Sequence, residues 1–130
     1  KGAEPELYLN EANDLLYSIL SQVKSKYPEN SRAVALITSM LEANPKTGAC
    51  EEVMRLIQEA LGNGNGKLSK AAKSKLMSAG FYIDESGPHY KITFHDPRYM
   101  FTVSKTPSEY REGKNLLSDI RKALDVERNI

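Results

Sequence analysis

His89-Tyr90-Lys91-Ile92-Thr93-Phe94-His95-Asp96-Pro97-Arg98-Tyr99-Met100-Phe101-Thr102-Val103 is the stretch whose reading decides the fold. Up to His95 the residues alternate, with Tyr90, Ile92 and Phe94 on one side of an extended chain and His89, Lys91, Thr93 and His95 on the other. Asp96-Pro97 supplies a turn, and Tyr99, Phe101 and Val103 then give a second apolar set. A turn centred between Asp96 and Pro97 sets Phe94 opposite Tyr99, Ile92 opposite Phe101 and Tyr90 opposite Val103. All three pairs share a face, so the pattern predicts an antiparallel hairpin with one apolar and one polar side.

Working outward, Phe81-Tyr82-Ile83 is a short aromatic and β-branched run ended by the turn-forming cluster Asp84-Glu85-Ser86-Gly87-Pro88, which adds a third strand. Ahead of it, Leu68, Ala72, Leu76 and Ala79 recur at helical spacing, and Gly80 closes that helix. Lys67, Lys70, Lys73 and Lys75 make it basic. Beyond the hairpin, Leu116, Leu117, Ile120, Ala123 and Leu124 form the stripe of a last helix. Two such helices are enough to cover the apolar sheet face and leave the polar one open. Between strand and helix, Thr106-Pro107-Ser108-Glu109 fits a capping box with Pro at the first helical position, which predicts a short helical turn before Gly113.

The first half reads differently. Leu15, Leu16, Ile19, Leu20 and Val23 mark one helix, ended by Tyr27-Pro28. Val34, Ile37, Met40 and Leu41 mark a second, capped near Asn30-Ser31 and stopped at Asn44-Pro45. Cys50, Val53, Met54, Ile57 and Leu61 mark a third, from about Ala49 to Leu61. These three read either as a bundle or as an element that docks a partner or pairs two copies. Gly62-Asn63-Gly64-Asn65-Gly66 opposes both helix and strand and reads as a linker, since a phosphate loop would join a strand to a helix. The expected fold is therefore α+β: a three-helix segment over 1–61, a linker over 62–66, and an α-β-β-β-α domain over 67–130 with a three-stranded antiparallel sheet.

Composition narrows the class. Hydrophobic residues are 40% and charged residues 27% of 130, which excludes disordered and collagen-like chains. No apolar run approaches the roughly 20 residues of a membrane span, and Lys1-Gly2-Ala3-Glu4-Pro5-Glu6 opens no export signal, so a cytoplasmic, membrane-free protein is expected. The single Cys50 has no intramolecular disulfide partner. The chain starts without Met, which points to a piece of a longer protein. There is no phosphate loop, no Cys/His metal spacing and no Ser or Cys nucleophile with an evident base, so neither metal nor cofactor is expected.

Net charge of +1 hides an imbalance. Residues 1–66 carry six Lys and Arg against nine acids, whereas residues 67–130 carry twelve against eight, together with both histidines. A basic second half suits a polyanion. Lys105, Arg111, Lys114 and Asn115, with Tyr110 to stack on a base or sugar, bring cations and donors to the start of the last helix, where free backbone N–H groups also favour phosphate. On the polar strand face, His89 and Lys91 point the same way about 7 Å apart. A His beside a Lys is the chemistry of metal-free RNA cleavage, in which a 2′-hydroxyl is deprotonated and phosphate charge is stabilised.

Gly80-Phe81 after the first helix of this domain, Gly87-Pro88-His89-Tyr90-Lys91-Ile92 at the second strand and Phe101-Thr102-Val103 in the third resemble the HicA family, over residues 68–124. That family comprises the small toxins of bacterial toxin–antitoxin pairs. The resemblance implies a fold like a double-stranded-RNA-binding domain and RNA cleavage by one histidine, matched here by His89. Pro88 stands where the family has Ser, the stretch after Val103 lacks the family's histidine-containing segment, and 66 residues precede the domain. The leading expectation is thus an RNA-binding module. A HicA-like ribonuclease using His89 is the first alternative, and a non-catalytic interaction or dimerisation domain the second.

Overall fold

The computed structural model describes residues 2–62, 68–105 and 110–126, with the backbone alone for 110–115. Most of the glycine run and the capping box at 106–109 lie outside the described residues. Helices α1 (Glu11–Lys24), α2 (Arg32–Ala43), α3 (Ala49–Leu61) and α4 (Lys70–Ala79) precede strands β1 (Phe81–Asp84), β2 (His89–Phe94) and β3 (Met100–Ser104), and α5 (Tyr110–Leu124) follows. The chain is α+β, with one antiparallel sheet in the order β1-β2-β3.

The hairpin has the register its pattern dictates: Ile92 faces Phe101 and Tyr90 faces Val103, and the Phe94 amide donates to the Tyr99 carbonyl at 2.9 Å. β1 joins the other edge of β2, with Phe81 against Phe94 and Ile83 against Ile92. Ile92, Phe94 and Val103 are buried under α4 and α5, and the stripes Leu68, Ala72, Leu76, Ala79 and Leu116, Ile120, Leu124 are buried in turn. Each Leu, Ile, Val or Phe among them contributes about 1.5–3 kcal/mol on leaving water, so this layer is the main apolar core of the described residues. The Phe81 and Phe94 rings meet at 5.0 Å in its centre.

Local signals set the helix ends. The hydroxyl of Ser31 accepts from the Val34 amide at 3.2 Å, and that of Ser69 accepts from the Ala72 amide at 3.0 Å. Gly80 ends α4 in the left-handed region, φ +115°, and donates to the carbonyls of Leu76 and Met77. α5 runs unbroken from Tyr110 through Gly113, where a separate short turn was expected. One interior Gly costs only about 1 kcal/mol, less than the stripe that follows it contributes.

Two compact units result, one holding the residues up to Cys50 with Val126, the other Glu51–Asp125. The contacts thus part inside α3, ahead of the glycine run, and most of α3 belongs to the unit of the sheet, where it meets α4 and α5. Met54, Ile57, Ala60 and Leu61 are buried, Lys75 Nζ donates to Glu59 at 2.9 Å, and Arg121 Nη2 donates to the Gln58 side chain. An apolar stripe says that a face will be covered, not which neighbour covers it.

The N-terminal unit is built on a carboxylate. Asp14 on α1 is fully buried and accepts from the Thr47 amide (3.0 Å), the Thr47 hydroxyl (2.9 Å) and the amides of Gly48 and Ala49 (3.0 Å each). It caps the start of α3 from another helix. Burial alone pushes its carboxyl up, but the hydrogen bonds from Thr47, Asn13 and Ala49 outweigh that and hold it at about 2. The leucine stripes fare otherwise than their periodicity predicts. Leu16 is 56% exposed and Met40 55%, and no residue of α2 is buried.

Candidate nucleic-acid interface

The alternation of β2 carries the polar side chains to the face opposite the one that packs on α4 and α5. His89 begins the strand, exposed and paired with Ser104; Lys91, also exposed, lies between Asp84 on β1 and Thr102 on β3. His89 and Lys91 thus share a surface, as their spacing of two requires. One row along, Tyr82, Thr93 and Met100 lie side by side across the three strands. Tyr82 is 72% exposed and Met100 48%. An aromatic ring presented to solvent on an open sheet is the means by which single-stranded nucleic acids are held.

Lys105 behaves differently from its expected place among the cations of the last helix. Its Nζ donates to the Glu85 carbonyl and sits 5.6 Å from the centre of the Tyr90 ring. Tyr90 lies on the covered side of the sheet, and Lys73 of α4 reaches the same ring at 4.6 Å while pairing with Glu85 at 3.1 Å. The hydrogen bond to Glu85, and then Tyr90, hold the Lys73 ammonium above its ordinary range. Lys73, Lys105, Glu85 and Tyr90 therefore form one cluster, away from His89 and Lys91. The side chains of Tyr110, Arg111, Lys114 and Asn115 lie outside the described residues.

The turn after β1 also bears on charge. Asp84 accepts from the amide and the hydroxyl of Ser86 at 2.9 and 2.7 Å, and those two bonds lower its carboxyl, with Lys91 and Lys105 adding to the effect. At the other end, His95 takes φ +56° and its amide donates to the Gly80 carbonyl at 3.3 Å, so β2 ends one residue before the alternation does. Sequence reasoning passed over Tyr82, Met77, Met100 and this placement of His95. The signal for Tyr82 was available: if Phe81 faces the core, its neighbour faces outward.

Among the described residues no cluster of His, Cys, Asp and Glu could hold a metal ion, and no helix is long and apolar enough to cross a membrane. No family model, curated protein or solved structure matches the chain.

Proposed function

We propose that the sheet unit of this bacterial protein is an RNA-binding module working through the face opposite α4 and α5. One observation carries the reading: exposed Tyr82, Lys91 and His89 share one side of a sheet whose other side buries Phe81, Ile92, Phe94 and Val103. The buried side holds the strands rigid, so stacking and phosphate contact cost little ordering. The basic balance of residues 67–130 and the short HicA-like motifs agree with it. Phosphate neutralisation makes such binding salt-dependent. Labelled RNA followed by fluorescence anisotropy tests it. Affinity falls steeply from 50 to 200 mM salt and falls again in Lys91→Glu; equal affinity at both salts, or no binding at micromolar protein, ends the reading. RNA cleavage abolished by His89→Ala in the same samples would turn the module into the ribonuclease of the first alternative.

The exposed side chains of α1 and α2 favour a second role for the N-terminal unit, association of two copies. Leu16, Ile19, Met40 and Leu41 line a cleft of about 380 Å³, and large apolar side chains gathered around one hollow suit a contact surface. Light scattering of the full chain, wild type against Leu16→Glu with Met40→Glu, separates a dimer lost on substitution from a monomer that never changes.

A further inference from the structure

At the end of the sheet where α4 passes into β1 and β2 turns toward β3 lies a cleft of about 620 Å³, within the range of small-ligand sites. Its walls are unusual for a surface with a good core behind it. Met77 is 61% exposed, and with Tyr82 and Met100 it leaves three large apolar side chains in water around one hollow. Apolar groups gathered in this way mark a contact surface.

Register gives the hollow its shape. Tyr82, Thr93 and Met100 are direct cross-strand neighbours, with the small Thr93 in the middle. Strands lie about 4.8 Å apart, which puts Tyr82 and Met100 roughly 10 Å from each other. One planar ring needs roughly 3.5 Å of contact on each side, roughly 7 Å in all. The space over Thr93 therefore has the width for one flat ring between an aromatic side chain and a thioether, both polarisable partners for a π-system.

The polar groups are at the floor and the end of this slot. Thr93 offers a hydroxyl from below, and His95 an imidazole from the turn. His95 is held in place by three features. Its backbone is bent to φ +56°, its ring stands edge-on to Phe94 at 4.6 Å, and it fills the space that a Cβ on Gly80 would need, 2.2 Å from Nε2. A fixed donor or acceptor beside a stacking slot is the arrangement that reads the edge of a base. Lys91 lies two residues before Thr93 on the same face, about 7 Å away, where it meets the phosphate of the base so held.

We infer that this cleft is the binding site for a single unstacked nucleobase, ringed by Tyr82 and Met100 and edged by Thr93 and His95. The inference rests on the RNA-binding reading and deepens it. Its test compares the full chain with Tyr82→Ala, Tyr82→Phe and Lys91→Glu. Each is titrated by anisotropy with single-stranded RNA, with duplex RNA, and with an abasic sugar-phosphate strand of equal length. Loss of base stacking weakens single-strand affinity about tenfold in Tyr82→Ala, while Tyr82→Phe keeps it and duplex affinity does not change. The abasic strand binds the wild type as weakly as Tyr82→Ala binds RNA. If Tyr82→Ala keeps full affinity, or the abasic strand binds as well as RNA, the base slot is overturned, and a further loss in Lys91→Glu leaves the RNA-binding reading standing. No binding of any strand by the wild type overturns both.

Discussion

The two units hold themselves together by opposite means. In the sheet unit Ile57, Leu76, Ile92, Phe94 and Ile120 are sealed from water and polar groups are at the margins. In the N-terminal unit the carboxylate of Asp14 is fully buried, and Leu16, Leu36 and Met40 stand half in water. An apolar core tolerates neighbours of any kind provided that volume is filled, whereas a buried carboxylate demands its donors one by one. The first unit is thus organised around an apolar layer, and the second around a hydrogen-bonded carboxylate, with Leu16 and Met40 exposed.

Substitutions separate the two designs, beginning with the largest effect. Phe94→Ala empties the centre of the sheet's covered side and lowers stability by about 3–5 kcal/mol in a denaturant melt. Asp14→Ala takes the acceptor from the amides of Thr47 and Gly48, leaves that of Ala49 the Thr47 hydroxyl, and costs about 2–3 kcal/mol, with faster amide exchange confined to the start of α3.

Acid sharpens the same contrast. The Asp14 carboxyl is held at about 2 in the folded chain against an ordinary 3.8, so the ionised form is the one that folding favours. Its contribution is complete above pH 4 and drains away as the pH falls through 2. The gap between wild type and Asp14→Ala narrows over that window by on the order of 2 kcal/mol, while the gap for Phe94→Ala stays constant. Melts at pH 5, 3 and 2 check both.

Gly80→Ala has a smaller cost, about 1–2 kcal/mol, because φ +115° disfavours any Cβ and the new methyl displaces the His95 ring. The accompanying disturbance reaches the resonances of Thr93 and Met100. Smallest of all is Arg55→Ala. The guanidinium links Glu52 and Glu59 on the exposed side of α3, and the melting midpoint does not move.

The sheet unit was legible because its instructions are local. Alternation in β2 and β3 fixes the faces, the turn at Asp96-Pro97 fixes the register, and Ser69 and Gly80 bound the ten residues of α4. Asp14 was not legible, since its partners lie 33 to 35 residues away and no periodicity ties a helix to a distant loop. The same limit applies to α3, whose stripe names a buried side but no neighbour. In the candidate site, His89 and Lys91 share a face because spacing of two guarantees it. Lys105 is drawn from the cations expected at the last helix by Tyr90 and Glu85, a pairing with Glu85 across 20 residues that the count of cations conceals. Tyr82 was hidden by the brevity of β1, four residues in which alternation hardly repeats.

The claim that the open sheet face is the working surface is tested most directly by amide chemical-shift mapping of the full chain titrated with a short single-stranded RNA. The account predicts that the amides of Tyr82, Lys91, Thr93 and Met100 move together and saturate at one protein-to-RNA ratio, while those around Lys73 and Tyr90 stay in place. Shifts gathered around Tyr90 and Lys73, with the open face unmoved, would contradict it.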